Sequence, residues 1–502
     1  MTAPGTGGGA SSGATRAAAG PQRQPLAPLR SDFAVRFHDE AGLEPLHDAT
    51  LRLLETTGVR YVSPKALAIL KKAGARVDEG SDLVRLPRRL VQEALAQAPR
   101  QFTLGARDAS CDLQVGSGFT YGTTDGCGVE VIDWHTGERR SSTKADLEAV
   151  TRMQDCLGSI SYWWPTVSAG DCGETAQLHE IEAGWNNTGK HLMGMVQGET
   201  LARAAVEMAT ALAGGAEELR RRPVMSDLIG TVSPLMHDRD GIEAGLVFAE
   251  AGIPVCYVTM PNLGTTAPAT KAGAFVVGAA EIVAAAVLHE LAAPGSPVIG
   301  SIMQIYADPR TALTLTTPLD DRCRFLATEL LHSFGIPALG PFGGTDAEQP
   351  GTWLAGVETM LQLLQLPLDG CELYTGIGLT NTYQLFTPEN LILDDDLYHR
   401  ARHAFLDIPM DEESLALDVI DAVGPGGHFL AQPHTRRHMR DAVVRAVSQE
   451  TGPDGQHYRD PVEVARERAL DILENYRPEP LADDVRSELR SIVDAADAAI
   501  KG

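Results

Sequence analysis

The sequence has few aromatic residues, a shortage of positive charge and none of the short motifs that mark common catalytic sites. Aromatic residues make up 5% of the 502 residues, and 42 lysines and arginines stand against 67 aspartates and glutamates, which gives a net charge of −25. Nucleic-acid-binding surfaces are basic, so this balance argues against a nucleic-acid partner. A small cation suits such a protein better than a polyanion does.

Motifs that would identify a resident metal or cofactor are also missing. The sequence contains no H-E-x-x-H, no C-x-x-C and no D-x-H-x-x-G of the kind that ligates a corrinoid, and it has no G-x-S-x-G elbow between a predicted strand and helix, because its one G-x-S-x-G, at 9–13, lies in the glycine-rich tail. These absences argue against a zinc site and against serine hydrolysis. We therefore expect no metal ligands and no tightly bound cofactor.

The cysteines and the apolar segments bear on where the protein resides. Seven widely spaced cysteines are an odd number without a disulfide pattern, so we expect reduced thiols and a cytoplasmic protein. Residues 1–31 contain no acidic residue and are rich in Gly, Ala, Ser and Pro, which predicts a disordered tail. The most apolar segment, 272–293, contains Glu281, His289 and Glu290, which favours a buried helix over a membrane span.

Helical patterns dominate both ends of the chain. Residues 32–117 predict a mainly helical N-terminal layer, because leucines recur at helical spacing from Leu46 to Leu54 and Ser63 before Pro64 is a typical helix start. Residues 406–502 predict a helical C-terminal extension that packs outside the central domain.

Between these ends, residues 118–405 alternate short apolar runs with segments long enough for helices. Eight such units over this length are typical of the α/β class, and they predict a (β/α)₈ TIM barrel with helical extensions at both ends. An open doubly wound sheet is the alternative, although no G-x-G-x-x-G follows the first run to favour it. The runs lie at 119–121 (with 129–132 as a possible returning strand), 160–164, 191–196, 224–230, 255–259, 298–302, 336–339 and 371–375.

In such a barrel, functional side chains follow the strands at their C-terminal ends. Several aromatic residues and carboxylates fall at these positions, and a ring face attracts a desolvated cation by about 0.5 to 2 kcal/mol. We therefore predict a site for a quaternary or protonated amine, with Asp125 and Asp346 as the catalytic counter-ions. The predicted substrate-binding side chains are Tyr121, Tyr162, Trp164, Gln197, Gln304, Tyr306 and Tyr374.

Two details refine this prediction. Successive strand residues point to opposite faces, so Trp163 should point away from its neighbours Tyr162 and Trp164. The glycine-rich loop at 340–346 could instead hold a phosphate, as loops seven and eight of barrels often do, but Asp346 and Glu348 would repel it.

Several segments resemble the trimethylamine methyltransferase (MttB) superfamily. No single motif is decisive, but their order and spacing extend over most of the chain. The segments are EPLH at 44–47, ETTGV at 55–59, LPRRLV at 86–91, TGERR at 136–140, SPL at 233–235, GTTAP at 264–268, PGSPV at 294–298, TDA at 345–347 and GGHFL at 426–430.

The resemblance implies a TIM barrel that moves a methyl group from an amine to the cobalt of a partner corrinoid protein, as in methanogenesis-like one-carbon metabolism. The founding trimethylamine enzymes carry pyrrolysine, whereas this chain has only standard residues. It therefore resembles the branch that demethylates quaternary amines such as glycine betaine. Around Asp346 the chain departs from many relatives, because Glu348 and Gly351 stand where a basic and an acidic residue are expected.

The combined prediction is a quaternary-amine:corrinoid-protein methyltransferase. The corrinoid (cobalamin) would be supplied by the partner protein, Gln197 could hydrogen-bond a substrate carboxylate, and we expect a homo-oligomer with no nucleic-acid or membrane partner. Two alternatives stay open. One is a corrinoid-dependent demethylase of a sulfonium or methoxy compound, and the other is a non-catalytic amine-binding or regulatory protein.

Overall fold

Eight parallel strands in a ring form the centre of the structure, which a computed structural model describes over residues 20–30, 33–78, 80–126, 128–315, 322–340, 344–442 and 446–501. The strands are β1 (Phe119–Thr124), β2 (Tyr162–Trp163), β3 (His191–Gly194), β4 (Met225–Gly230), β5 (Val255–Thr259), β6 (Val298–Ile302), β7 (Leu339–Gly340) and β8 (Leu373–Ile377). Each is followed by a helix outside the ring. These helices are α1 (Lys144–Cys156), α2 (Ala176–Asn187), α3 (Glu199–Ala213), α4 (Arg239–Ala251), α5 (Lys271–Ala292), α6 (Arg322–Ser333), α7 (Trp353–Asp369) and α8 (Pro388–His403).

Backbone hydrogen bonds close the ring. Strands β2 to β6 pair in chain order, β7 pairs with β8, and β8 returns to β1 with Leu373 opposite Tyr121, all in parallel. Single contacts join the two remaining pairs of neighbours. Between β1 and β2, the Ser161 N–H donates to the Gly122 carbonyl at 2.7 Å, and between β6 and β7, Gly300 forms a parallel bridge with Ala338. The predicted (β/α)₈ barrel is confirmed, and the open sheet is excluded.

Local sequence signals explain where the barrel helices begin. At α1 the Thr143 side chain accepts from the Asp146 N–H while the Asp146 carboxylate accepts from the Thr143 N–H, which forms a capping box. Helix α8 begins with Thr387 as N-cap and Pro388 in its first turn. Because each helix follows its strand in the chain and runs back along the outside of the ring, these caps lie toward the C-terminal end of the barrel.

Helix α5 contains the most apolar segment of the chain. It is long and apolar enough to cross a membrane by length and composition, but 78% of its apolar window is buried inside the protein. Glu281, His289 and Glu290 are buried with it. The predicted buried helix is confirmed.

The N-terminal layer is mainly helical, as predicted, and it also contains short strands that the sequence did not indicate. Helices Glu40–Thr56, Pro64–Lys72 and Arg88–Leu95 accompany a small sheet of Val59–Tyr61, Arg76–Asp78 and Leu83–Arg85, which Met236–His237 joins from the barrel. A hairpin of Phe102–Leu104 and Leu113–Val115 packs its apolar side chains into the barrel interior from the N-terminal end. These strands are only three residues long, so their pattern was too short to be recognised in the sequence.

Part of the predicted disordered tail is ordered. Leu29–Arg30 forms a short strand antiparallel to the start of β1, and Leu29 is buried. Burying an apolar side chain against the barrel stabilises this segment, which the polar composition of residues 1–31 did not indicate. Residues 1–19 and 31 lie outside the described part of the chain.

The loops at the C-terminal end of the barrel form further short strands. Glu130–Ile132 and Arg139–Ser141 follow β1, and they join Leu379–Thr380 and Leu385–Phe386, which follow β8, in a four-stranded sheet. Tyr306–Ala307 and Thr314–Leu315 form a hairpin after β6. The possible returning strand at 129–132 therefore pairs within this outer sheet and not with β1.

The C-terminal extension is helical, as predicted. Pro461–Asn475 packs against α8 and α1, and Asp483–Lys501 packs against α3 and α2. The preceding helices, Glu412–Leu415, Leu417–Val423 and Pro433–Ala442, lie apart from the barrel wall and have no buried residue from 412 to 439.

Candidate active site

Strand alternation decides which aromatic residues enter the barrel. Tyr162 and Trp164 belong to the apolar cluster inside the barrel, whereas Trp163 belongs to the outer core between strands and helices. The Trp163 indole N–H donates to Thr151 Oγ1 on α1 at 2.9 Å. The predicted alternation at these three positions is confirmed.

Asp125 lies directly after β1 at the C-terminal end of the barrel. Its backbone N–H donates to the Ile377 carbonyl at the end of β8, at 3.0 Å, and its Oδ1 accepts from the Gly126 N–H at 2.8 Å. Its Oδ2 is buried and has no hydrogen-bond partner in the described part of the chain. Burial raises the pKa of Asp125 to about 7, so the carboxylate is half ionised near neutral pH.

The indole of Trp164 lies against the backbone beside Asp125. A Cβ atom on Gly126 would lie 2.6 Å from Trp164 Cε2, so only glycine allows this approach. Trp164 Nε1 is also buried without a partner among the described residues. An unsatisfied donor and an unsatisfied acceptor thus belong to two residues that pack side by side at Gly126, which is uncommon for buried polar groups and marks a candidate ligand site.

Tyr162 completes this group from the neighbouring strand. Its hydroxyl donates to the Tyr374 carbonyl at 3.2 Å, and its own carbonyl accepts from Thr123 Oγ1 at 2.5 Å. Burial raises the pKa of Tyr162 well above its usual value, and the Asp125 carboxylate contributes in the same direction. The phenol therefore stays neutral. Asp125 is close enough to Tyr162 to influence its pKa, and Trp164 packs against Gly126 beside Asp125.

Two hydroxyl groups that the sequence did not single out also belong to the barrel wall. Thr375 and Ser301 follow the inward-facing Leu373 and Ile299 by two residues, so alternation places them on the inner face. Both hydroxyl oxygens are buried without a partner among the described residues. The i+2 spacing from an apolar strand residue was the signal that could have identified them.

Two predicted tyrosines do not reach the mouth of the barrel, and their positions correct the prediction. Tyr121 points inward but lies in the N-terminal half of β1, where its hydroxyl accepts from the Gln114 N–H of the floor hairpin at 3.3 Å. Tyr374 alternates with Leu373 and therefore points outward, with its ring against Gly122 in the outer core. Burial raises its pKa, and Tyr398 and Asp394 of α8 add to the rise.

Gln304 and Tyr306 lie together after β6. Gln304 Nε2 donates to the Lys271 carbonyl at 2.8 Å, and the Tyr306 hydroxyl donates to Gln304 Oε1 at 3.0 Å. Lys271 Nζ lies 5.9 Å from the centre of the Tyr306 ring, so this ring already faces a cation of the protein itself. Gln197, after β3, is exposed, and its backbone N–H donates to Gln177 Oε1 at 3.0 Å.

Asp346 lies in the loop after β7, at the same end of the barrel as Asp125. Its backbone N–H donates to Glu358 Oε2 at 2.9 Å, and its Oδ1 accepts from Thr382 Oγ1 of the loop after β8 at 3.2 Å. Thr345 Oγ1 donates to the same Glu358 oxygen at 2.6 Å. The Glu358 carboxylate, on α7, thus fixes the loop after β7 through two hydrogen bonds. The neighbouring positions 341–343 lie outside the described residues.

A buried carboxylate on α5 holds the loop after β4 in a comparable way. Glu281 Oε2 accepts from the hydroxyls of Thr231 at 2.5 Å and Ser233 at 2.9 Å, and also from that of Thr259. Its Oε1 accepts from the Leu235 N–H at 2.7 Å. Four donors therefore fix the backbone at one side of the barrel mouth.

Among the described residues, one group has the composition and spacing of a metal site, and it lies in the C-terminal extension. Ligand atoms of Glu413, His434 and His438 are within 4.8 Å of one another. However, Glu413 Oε1 already accepts from His438 Nε2 at 3.0 Å and from Arg437 Nη2 at 2.7 Å. An arginine at this distance repels a divalent cation, so we interpret the group as an ion-pair cluster.

The whole chain is similar to methyltransferases that act on methylated amines. The family described as trimethylamine methyltransferase (MTTB) matches residues 5–500. The trimethylamine methyltransferase MttB of Desulfitobacterium hafniense (strain DSM 10664 / DCB-2) is 32% identical over 465 residues, which cover 91% of this chain and 93% of that protein. The glycine betaine methyltransferase of Desulfitobacterium hafniense (strain Y51) is 28% identical over 467 residues, which cover 90% and 95%.

A solved structure supports the fold. The crystal structure of the hydroxylamine complex of MtmB aligns with a TM-score of 0.50 at 12% sequence identity, over 92% of this chain and 88% of that chain. At this identity the similarity concerns the fold alone.

Proposed function

The chain belongs to the trimethylamine methyltransferase (MTTB) family and is a methyltransferase, and we propose that it takes its methyl group from a quaternary amine of the betaine type. We propose further that the acceptor is the cobalt of a separate corrinoid protein. The observation that carries the proposal is the buried, unpartnered Oδ2 of Asp125 beside the indole of Trp164. A non-catalytic amine-binding protein, the alternative left open by the sequence, does not agree with the family.

The side chains around Asp125 suit a betaine as the ligand. A quaternary nitrogen carries a diffuse positive charge and no N–H, so it needs a ring face and a counter-ion but no hydrogen-bond acceptor. Asp125 supplies the negative charge, and Tyr162 and Trp164 supply the rings. The unpartnered Trp164 Nε1–H can donate to the carboxylate of the same zwitterionic substrate.

The presence of standard residues only supports a quaternary amine as the methyl donor. This chain has no pyrrolysine, the residue that marks the founding trimethylamine enzymes. A protonated tertiary amine would have to bury its N–H, whereas a quaternary amine leaves as a neutral tertiary amine after it loses a methyl group. One relative of similar coverage is itself named a glycine betaine methyltransferase.

In this proposal the protein works by positioning and electrostatics. The methyl carbon is displaced in line: the electron pair of cobalt(I) forms the new cobalt–carbon bond, and the C–N electron pair stays on the departing amine, so no proton moves. Asp125, Tyr162 and Trp164 hold the cationic nitrogen so that one methyl group faces the mouth, where a partner protein can approach. Such alignment can supply several kcal/mol of the barrier, of the order of 7 to 11 for ideal cases.

The direct test is methyl transfer to reduced cobalamin, followed through methyl-cobalt absorbance. We expect turnover with glycine betaine or a related quaternary amine, and little with trimethylamine, a methylsulfonium compound or a methoxy compound. Faster turnover with trimethylamine, the substrate named for the 32% identical relative, would overturn the quaternary-amine proposal. Faster turnover with a sulfonium or methoxy donor would support the other enzyme alternative.

We also place the enzyme in the cytoplasm. The six cysteines within the described residues are all free thiols, and four of them are buried. Free buried thiols agree with a reducing compartment. Fractionation of cells that produce the native protein would test this placement.

A further inference from the structure

Strand β8 contains a β-bulge beside the candidate active site. Tyr374 pairs with Gly122 and Ile377 pairs with Thr124, so β8 takes three steps where β1 takes two. Gly376 lies within the bulge, and its φ of 124° is a backbone conformation that residues with a side chain rarely adopt. Bulges are common next to active sites, where they change the direction in which a side chain points.

The bulge changes which side chains of β8 face the barrel interior. Thr375 follows the inward-facing Leu373 by two residues and points inward. In a regular strand Ile377 would be the next inward residue, but it belongs to the outer core, as Tyr374 does. The bulge thereby removes a large apolar side chain from the inner face. Within β8, Thr375 is therefore the inward side chain nearest to the mouth of the barrel.

Two hydrogen bonds place Thr375 between Tyr162 and Asp125. The Tyr162 hydroxyl donates at 3.2 Å to the carbonyl of Tyr374, which is bonded directly to Thr375. The Asp125 N–H donates at 3.0 Å to the carbonyl of Ile377, two residues after Thr375. Thr375 thus lies deeper in the barrel than Asp125 and on the same side of the ring.

The Thr375 hydroxyl has the chemistry to bind the acidic end of a substrate. Its Oγ1 is buried and has no hydrogen-bond partner among the described residues. A buried hydroxyl without a partner is unfavourable, so a ligand that supplies a partner gains affinity. A quaternary nitrogen has neither an N–H nor a lone pair, whereas a carboxylate is a strong acceptor. The hydroxyl therefore suits the carboxylate of a betaine and not its nitrogen.

We propose that Thr375 determines the specificity of the site by donating a hydrogen bond to the carboxylate of the betaine. This inference rests on the proposed function and adds the orientation of the substrate. The carboxylate points toward the floor of the barrel, and the nitrogen lies beside Asp125, so that its methyl groups face the mouth. The reverse orientation would bring the carboxylate to Asp125, where two negative charges repel.

The test compares two quaternary cations that differ in the carboxylate. Glycine betaine has this group, and tetramethylammonium has the same charged nitrogen without it. In calorimetric titration, Thr375→Val should weaken the binding of glycine betaine about tenfold to a hundredfold and change that of tetramethylammonium by less than about twofold. Thr375→Ser restores the hydroxyl and should bind glycine betaine nearly as tightly as the wild type.

A buried threonine outside the ring of strands supplies the matched control. Thr328 Oγ1 on α6 donates to Asp369 Oδ2 at 3.0 Å, and Thr328→Val should leave both affinities unchanged. Valine has nearly the shape of threonine, so Thr375→Val should keep the wild-type circular dichroism spectrum.

The outcomes separate this assignment from the proposed function. If the wild type binds glycine betaine but Thr375→Val weakens both cations equally, or neither, the role of Thr375 is overturned and the proposed function stands. The role is also overturned if the wild type binds tetramethylammonium more tightly than glycine betaine. If the wild type binds neither cation, the proposed function fails, and the role of Thr375 fails with it.

Discussion

The replacement Asp125→Asn should remove a pH dependence from amine binding that the wild type shows around neutral pH. Burial raises the pKa of Asp125 to about 7, and the Gly126 N–H is a weaker influence in the opposite direction. Only the ionised carboxylate attracts the cation. The affinity for a quaternary amine should therefore be full above pH 7 and should fall as the pH drops below 7.

The size of the effect follows from the ionised fraction. With a pKa of about 7, roughly nine tenths of the carboxylate is ionised at pH 8 and roughly one tenth at pH 6, so the dissociation constant should rise about tenfold between them. Two charges about 4 Å apart at an effective dielectric constant of about 20 attract by about 4 kcal/mol. Asp125→Asn should thus bind at least as weakly at pH 8 as the wild type does at pH 6.

Calorimetric titration with glycine betaine at several pH values would measure this. The quaternary nitrogen does not titrate and the carboxylate of the ligand stays ionised between pH 6 and 8, so a pH dependence belongs to the protein. A second readout is stability. Because the folded pKa lies above the unfolded one, the folded carboxyl keeps its proton to higher pH, and stability falls as the pH rises from about 4 to 7. Asp125→Asn should therefore be more resistant to urea than the wild type at pH 8.

A matched control distinguishes the site from general effects of buried carboxylates. Burial also raises the pKa of Asp394 on α8 to about 7, but its Oδ2 accepts from the Gly378 N–H at 2.8 Å and from Asn390 Nδ2 at 2.9 Å, outside the barrel. Asp394→Asn should leave the pH profile of binding unchanged. The reasoning is refuted if wild-type binding is flat from pH 6 to 8, or if Asp125→Asn keeps the wild-type profile.

Three further predictions concern other parts of the barrel. Trp164→Ala should lower kcat/KM for a quaternary amine by a factor that corresponds to about 1 to 2 kcal/mol of activation free energy. Trp163→Ala should leave kcat/KM unchanged and should lower the free energy of unfolding, measured in urea, by about 3 to 5 kcal/mol. Equal losses of kcat/KM in the two variants would contradict the assignment of Trp164 to the inside and Trp163 to the outside of the barrel. Tyr374→Phe should not change kcat or KM, because the Tyr374 ring lies outside the barrel. A change of more than threefold in either constant would show that Tyr374 belongs to the active site. Glu281→Ala should lower the free energy of unfolding by about 3 kcal/mol or more, since four donors lose their acceptor; an unchanged urea midpoint would show that water replaces the carboxylate.

Much of the architecture was readable from local patterns. The eight runs between 119 and 375 became the eight strands in the predicted order, and the apolar segment at 272–293 became a buried helix. The alternation of Tyr162, Trp163 and Trp164 was also predicted correctly. These features depend on residues close together in the chain, because strand alternation, helix periodicity and capping are local properties.

The membership of the site was decided by tertiary structure. Tyr121 and Tyr374 have the right chemistry, but the length of β1 leaves the first at the floor and the alternation along β8 turns the second outward. The pKa of Asp125 is raised because the folded chain buries its carboxylate, and Trp164, which lies after a different strand, packs against the backbone beside it at Gly126. Sequence alone determined which side chains were available. Closure of the ring of strands determined which of these side chains lie together in the buried interior of the barrel, because contacts across a barrel depend on the register of strands that are far apart in the chain.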